Sequence, residues 1–185
     1  MNIIVGVTGA SGTIFAVKLL EALHQAEDVT THLIMSDWAK NNLEIETDYA
    51  FNEVKKLADE LYDNRNLGAR TSSGSFLTDG MVIVPCSMKT LSAVANGYED
   101  SLITRTAEVM LKENRRLILC PRESPLSAIH LENMLKLARL GVRIVPPMPA
   151  FYNHPKTLDD MVNHHVMKIL DQLGIPNARS QRWNG

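Results

Sequence analysis

The chain alternates short apolar runs with stretches of helical periodicity, and no other feature restricts its fold as strongly. Residues 3–7 form an apolar run of the kind a strand covered on both faces requires. Thr8-Gly9-Ala10-Ser11-Gly12 follows at once. Ile14, Phe15, Val17, Leu19, Leu20 and Leu23 then recur at helical spacing. The pattern repeats along the chain. It predicts strands over 29–35, 81–84, 117–119 and 142–145. It predicts helices beginning at 37–42 and running over 51–61, 87–96, 102–112, 128–140 and 159–173. Residues 64–80 are rich in Gly, Ser, Asn and Thr and read as a long loop, with a short edge strand near 69–73. Pro85 ends the third predicted strand, and Ser87 caps the helix after it, with Gly97 just past its end.

Such alternation implies a three-layer, Rossmann-like, doubly wound parallel sheet in the α/β class. The 185 residues suffice for a single domain with its own core, and no internal repeat or low-complexity linker divides them. Apolar residues make up 45% and charged residues 22%, which excludes disorder as a description of the chain. The net charge of −2 implies no strongly basic surface, so nucleic acid is not an expected partner. Two cysteines, Cys86 and Cys120, cannot make a disulfide framework. No run approaches the length of a membrane span, and the first residues lack a basic signal region. A reduced, cytoplasmic location is expected.

Ligands of such sheets sit beyond the carboxyl ends of the strands, so the residues that follow each strand carry the chemistry. These are residues 8–12, Ser36-Asp37, residues 85–90, Pro121-Arg122-Glu123 and residues 146–152. The edge is dense in hydroxyls and small residues and reads as a site for a phosphate ligand. Residues 9–12 open a helix right after a strand, which suits phosphate binding and also suits a plain tight turn. A dinucleotide fingerprint places a third glycine where this chain has Phe15, and no P-loop is present, so NAD(P) is disfavoured. Asp37 fits a helix cap better than a ribose contact. Ser87 to Thr90 stands at a second helix N-terminus, where Ser87 is either an N-cap or a ligand contact. Tyr152 and Lys156 have reductase spacing, but Pro155 lies between them and argues against a helix there. Cys86 reads as buried filler rather than a nucleophile. Arg105 and Lys112 are seven apart and share a helix face, as a phosphate site or as an ordinary solvated stripe. Arg122 is better placed, with Glu123 beside it to handle protons. The histidines show no metal spacing, and the side chains of His164 and His165 point about 100° apart on a helix. No metal is expected.

These blocks together resemble the flavin prenyltransferases, formerly called phenylacrylic or 3-octaprenyl-4-hydroxybenzoate decarboxylases. The likeness rests on residues 8–12, residues 85–93, Pro121-Arg122-Glu123-Ser124-Pro125 and Ile129-His130-Leu131-Glu132-Asn133-Met134. Residues 146–152, residues 173–176 and Arg182-Trp183 extend it over essentially the whole chain. The resemblance implies FMN binding and transfer of a dimethylallyl group from dimethylallyl monophosphate to N5 and C6 of the reduced flavin. It implies delivery of the product to a UbiD-type decarboxylase of aromatic or acrylic acids, and assembly as a dodecamer with sites between subunits. By position, Gly9, Ala10, Ser11, Ser36, Ser87, Met88, Lys89, Thr90 and Arg122 correspond to FMN contacts. Arg105, Lys112, Tyr152 and Lys168 correspond to ligands of the prenyl phosphate, with Arg105 and Lys112 reaching in from a neighbouring subunit. Many relatives have Arg where this chain has Lys168, which keeps the charge but loses the planar fork. Ser11, Glu46 and Glu123 correspond to proton-handling groups. An FMN-dependent aromatic acid decarboxylase, acting directly or as an accessory subunit, is the alternative.

Overall fold

In a computed structural model, which describes residues 1–178 and 182–183, the apolar runs become one six-stranded sheet. The strands are β1 (Asn2–Val7), β2 (Thr30–Met35), β3 (Glu60–Asp63), β4 (Gly80–Cys86), β5 (Leu117–Pro121) and β6 (Arg143–Ile144). Their order is β3-β2-β1-β4-β5-β6 and every pairing is parallel. This is the doubly wound order, with its reversal between β1 and β4. Central strands need apolar side chains on both faces, and Ile3, Ile4, Val5, Leu33, Ile34, Met81, Val82 and Ile83 are all fully buried.

Among the described residues, seven helices cover the two faces: α1 (Thr13–His24), α2 (Asp37–Glu46), α3 (Phe51–Val54), α4 (Met88–Ala95), α5 (Leu102–Lys112), α6 (Ala128–Arg139) and α7 (Leu158–Leu173). One core joins the sheet to α1 and α7 through Leu19, Leu20, Val166 and Ile169. The other joins it to α4 and α5 through Leu91, Leu102, Ile103 and Ala107. Five of these helices begin on a hydroxyl that accepts a hydrogen bond from an N–H in the first turn: Ser36, Ser87, Ser101, Ser127 and Thr157.

The structure departs from the sequence expectation between residues 51 and 73. The amphipathic pattern of Val54, Leu57 and Leu61 is not one helix. A single turn, α3, passes into a 3-10 turn at Lys55–Leu57, and the chain then extends as edge strand β3. The stretch expected to hold an edge strand, 69–73, contains a 3-10 turn at Arg70–Ser72 instead. Strand β4 also continues through Pro85, which lacks the donor that an edge-to-edge ladder would use but still fits a strand end.

Thr8 binds the two halves together at the reversal point. Its hydroxyl donates to the Pro85 carbonyl at 2.8 Å and accepts from the Ser87 N–H at 2.8 Å. Its own N–H also reaches the Pro85 carbonyl, at 3.2 Å. Thr8 is 3% exposed, so losing the hydroxyl would strand buried groups. Thr8→Val is expected to lower stability by about 1–3 kcal/mol in urea denaturation, with little change in the slope of the transition.

Candidate functional site

The carboxyl end of the sheet at the β1/β4 reversal opens into a cavity of about 290 Å3. Thr8 and Gly9 reach it from β1, Ser36 and Trp38 from β2, and Ser87 and Thr90 from β4. Asn64, Lys89, Ser101 and Ile103 complete the lining. Three helices therefore point their N-termini at one space: α2 through Ser36, α4 through Ser87 and α5 through Ser101. Each presents partial positive charge. The three serine oxygens accept from the Ala39, Thr90 and Thr104 N–H groups, and the Ser101 hydroxyl also lies 3.0 Å from that of Thr104. Ser87 Oγ and Thr90 Oγ1 lie 3.1 Å apart, so one phosphate oxygen can be met by both. Lys89 adds a cation at the rim, where it now pairs with Asp100 at 2.7 Å.

The third helix reaches the cavity through a clamp. The Asn64 carbonyl accepts from Leu102 N–H at 2.8 Å and its side chain accepts from Ile103 N–H at 3.1 Å. Asn64, Ser101 and Trp38 were not singled out from the sequence. Ser101 was visible as a hydroxyl preceding a helical run, but only the topology places it beside Ser36 and Ser87.

The turn at residues 9–12, which suited either phosphate binding or a plain tight turn, has its helix N-terminus engaged by a side chain. Glu46, at the end of α2, accepts from Gly12 N–H at 2.8 Å and from the Thr13 N–H and hydroxyl, each at 3.1 Å. A carboxylate thus occupies the N-terminus of α1. Burial works to raise the Glu46 pKa, but these bonds and one from the Ser11 hydroxyl outweigh it and hold the carboxyl below its usual range. Gly12 adopts a φ of 103°, which a side chain would strain, and a Cβ there would meet the Phe15 ring at 3.0 Å. Ser11 and Glu46 are therefore together, while Ala10 is buried and its carbonyl accepts from Asn42 at 3.1 Å. Asp37 does not cap α2. Ser36 does, and Asp37 pairs with Arg65.

The other expected residues fall in three further places. Arg122 and Glu123, both exposed, line a cavity of about 540 Å3 with Leu126, Leu131, Met134 and Met148. Arg122 has no carboxylate partner within ion-pair distance among the described residues. Glu123 accepts from Ser124 N–H at 3.0 Å. Arg105 and Lys112 share a separate depression of about 570 Å3 with residues 72–75, where they pair with Glu99 and Glu113. Tyr152 lies 3.4 Å from His164 Nε2, and its ring meets those of His164 and Trp183 edge-on. Lys168 is exposed one turn beyond His164 on α7. Met88 is half-buried and packs against the second core. Cys86 is fully buried, and burial pushes its thiol up to about 12, so it carries no thiolate chemistry near neutrality. Tyr152 and Lys156 are outside any helix, since α7 starts at Leu158.

A phosphate ester fits the 290 Å3 cavity because the donor set is neutral hydroxyls, helix N-termini and one lysine, with a wall of Thr8, Gly9 and Ile103. The cavity lies where a doubly wound sheet holds a nucleotide. FMN, with one terminal phosphate, suits it.

Comparison with known proteins points the same way. Residues 1–170 match the Flavoprotein family. The flavin prenyltransferase LpdB of Lactiplantibacillus plantarum is 59% identical over 184 residues, covering 100% of this chain and 98% of the relative. Flavin prenyltransferase UbiX of Escherichia coli K12 is 50% identical, covering 100% and 98%. Among solved structures, a dodecameric FMN-dependent UbiX-like decarboxylase from Escherichia coli O157:H7 superposes with a TM-score of 0.98 at 55% identity, covering 100% of both chains. AnUbiX in complex with FMN and dimethylallyl pyrophosphate superposes with a TM-score of 0.97 at 48% identity, covering 100% of this chain and 97% of that one. The peptidyl-cysteine decarboxylase EpiD, at 17% identity, shares the fold alone.

Proposed function

The chain belongs to the Flavoprotein family and, within it, to the flavin prenyltransferases, and from that premise we propose how its own residues divide the reaction. The protein transfers a dimethylallyl group from its phosphate ester to FMN. The observation that carries our residue assignment is the convergence of the α2, α4 and α5 N-termini on one cavity. Ser36, Ser87, Thr90 and Ser101 hold the FMN phosphate there, with Lys89 released from Asp100 to add charge. When bound, reduced FMN supplies the electron-rich N5 and C6 positions to which the prenyl group becomes attached.

Glu46 is ionised at neutral pH, so its part is that of an acceptor, and the Ser11 hydroxyl that donates to it is held in a fixed orientation. Glu123 protonates the departing phosphate, and Arg122 beside it steadies the negative charge that develops as the allylic C–O bond breaks. The apolar walls of that cavity, Leu126, Leu131, Met134 and Met148, suit a dimethylallyl group and exclude water. Arg105, Lys112, Tyr152 and Lys168 complete the phosphate grip. One chain keeps Arg105 and Lys112 in a depression separate from Arg122, which supports a site completed by a neighbouring subunit in a homo-oligomer, with the dodecamer of the O157:H7 relative as its pattern. Ion pairs with Glu99 and Glu113 keep these two cations neutralised until a phosphate arrives.

We read residues 1–185 as one FMN-binding unit. A UbiD-type decarboxylase is the proposed recipient of the modified flavin. A cytoplasmic site of action fits the free, buried Cys86 and Cys120, and no helix among the described residues is long and apolar enough to cross a membrane.

The test is the mass of the flavin after anaerobic incubation of the assembled protein with reduced FMN and either dimethylallyl monophosphate or the pyrophosphate. A gain of one prenyl unit is expected with the monophosphate. No gain with either donor, together with carbon dioxide release from an aromatic acid, would establish the decarboxylase reading instead. Lys168→Ala is expected to raise the KM for the prenyl donor about tenfold or more and to leave the Kd for FMN within about twofold. Equal weakening of both would place Lys168 at the flavin. Lys168→Arg, which restores a planar fork, is expected to keep or tighten donor binding.

A further inference from the structure

We propose that Trp38 is a positioning residue of the FMN site, whose indole forms the solvent-side wall of the phosphate cavity. The inference rests on the assignment of that cavity to the FMN phosphate.

Trp38 is the second residue of α2, directly after the cap Ser36 and Asp37. It is 69% exposed, although tryptophan is the side chain with the most apolar surface to hide. It nevertheless lines the same small cavity as Ser36, Gly9, Ser87 and Thr90. Its base is fixed from below. A Cβ on Gly9 would stand 2.6 Å from the Trp38 Cβ, so the turn after β1 packs against Trp38 too closely for a side chain at residue 9. The neighbouring Asp37 carboxylate does not set a bare negative charge against the cavity, because Arg65 and Lys40 both pair with it.

An indole in this place brings no charge that would repel a phosphate. It displaces water from one side of hydroxyl and N–H donors, and hydrogen bonds to an anion strengthen as the local dielectric falls. Its body also narrows the path by which a bound phosphate would leave. Lys89 lines the same cavity and offers a point charge but no such wall, being 74% exposed at its side chain. The effect of Trp38 belongs to the phosphorylated end of the ligand. Riboflavin, which lacks the ester, has nothing to place among the three helix N-termini and should be indifferent to the wall.

The experiment is calorimetric titration of the apo-protein with FMN and, separately, with riboflavin, for the wild type, Trp38→Ala and Trp38→Phe. Trp38→Ala is expected to raise the Kd for FMN about tenfold, Trp38→Phe to stay within about threefold of wild type, and riboflavin to bind alike to all three. The melting temperature of the apo-protein should not move, because so exposed a side chain holds little of the fold together. An FMN Kd in Trp38→Ala within twofold of wild type would overturn the proposal. So would equal weakening of FMN and riboflavin, which would put the indole against the flavin ring. Failure of the wild type to prefer FMN over riboflavin would overturn the assignment of the cavity itself, and the role of Trp38 with it.

Discussion

Glu123→Gln should slow prenyl transfer by on the order of 10²-fold or more while FMN still binds with its wild-type affinity. Glutamine keeps the shape and the acceptor oxygen that meets the Ser124 N–H, so the loop after β5 should stay in place. What it loses is the ability to give a proton to a leaving phosphate. Glu123 is one residue from Arg122 in a cavity separate from the phosphate seat of FMN, so flavin affinity and turnover should come apart. The split is read by measuring the FMN Kd of the apo-protein and the rate of flavin mass gain on the same preparation. A further readout separates a proton donor from a spacer. Glu123→Asp, which keeps a carboxyl at shorter reach, should recover part of the rate that Glu123→Gln loses. If the variant loses FMN and activity together, Glu123 is a flavin contact and the proton must come from elsewhere. Glu46 cannot replace it, since its four hydrogen-bond donors keep it ionised.

Much of this arrangement could be read from the sequence because it is local. The buried strands are unbroken apolar runs, and Ser36 and Ser87 sit at helix starts where a hydroxyl is worth about 1 kcal/mol as a cap. Strand β3 was hidden because Glu60, Leu61 and Asp63 are exposed on an edge, where pairing with β2 decides the conformation and no apolar pattern is needed. The misread of residues 51–61 as one helix follows from the same cause, as Leu61 completed a helical spacing by coincidence. The phosphate seat was half legible. Its pieces were visible one at a time, but their meeting depends on the sheet order that puts β1 beside β4 and on the Asn64 clamp that draws in α5. The role of Glu46 lies further from local reach. It caps a helix that begins more than thirty residues earlier in the chain, and nothing near residue 46 announces that. The resemblance named Ser11 and Glu46 among the proton-handling groups, and the structure joins them: the Ser11 hydroxyl donates to the carboxylate that sits on the N-terminus of α1.

The second large effect is on stability in mild acid. His165 is 5% exposed on α7, edge-on to Phe15 with ring centroids 5.0 Å apart, and its Nε2 is buried without a hydrogen-bond partner among the described residues. Burial pushes its pKa down from 6.5 to about 4, and the neighbouring His164 pushes in the same direction. In the unfolded chain the imidazole takes up a proton near pH 6.5; in the folded chain it resists until about pH 4. The unfolded state therefore holds more protons across that window, and stability is full above pH 6.5 and declines as the pH falls towards 4. The size of the decline is roughly 3 kcal/mol at 1.36 kcal/mol per pKa unit. Glu46 and Asp171 also favour the folded state when ionised, but their folded pKa values lie below the ordinary carboxylate range, so their loss comes at lower pH. Urea denaturation from pH 7 to 4.5 should show the fall beginning near 6.5, and His165→Gln should flatten it. Parallel curves for the two proteins would assign the loss to another group. The consequence reaches the site because α7 also carries Lys168 and the His164 that holds Tyr152. The phosphate seat of FMN hangs on α2, α4 and α5. Acid that loosens α7 should thus weaken use of the prenyl donor at a pH where FMN is still retained, and comparing the donor KM with the FMN Kd at pH 5.5 checks that order.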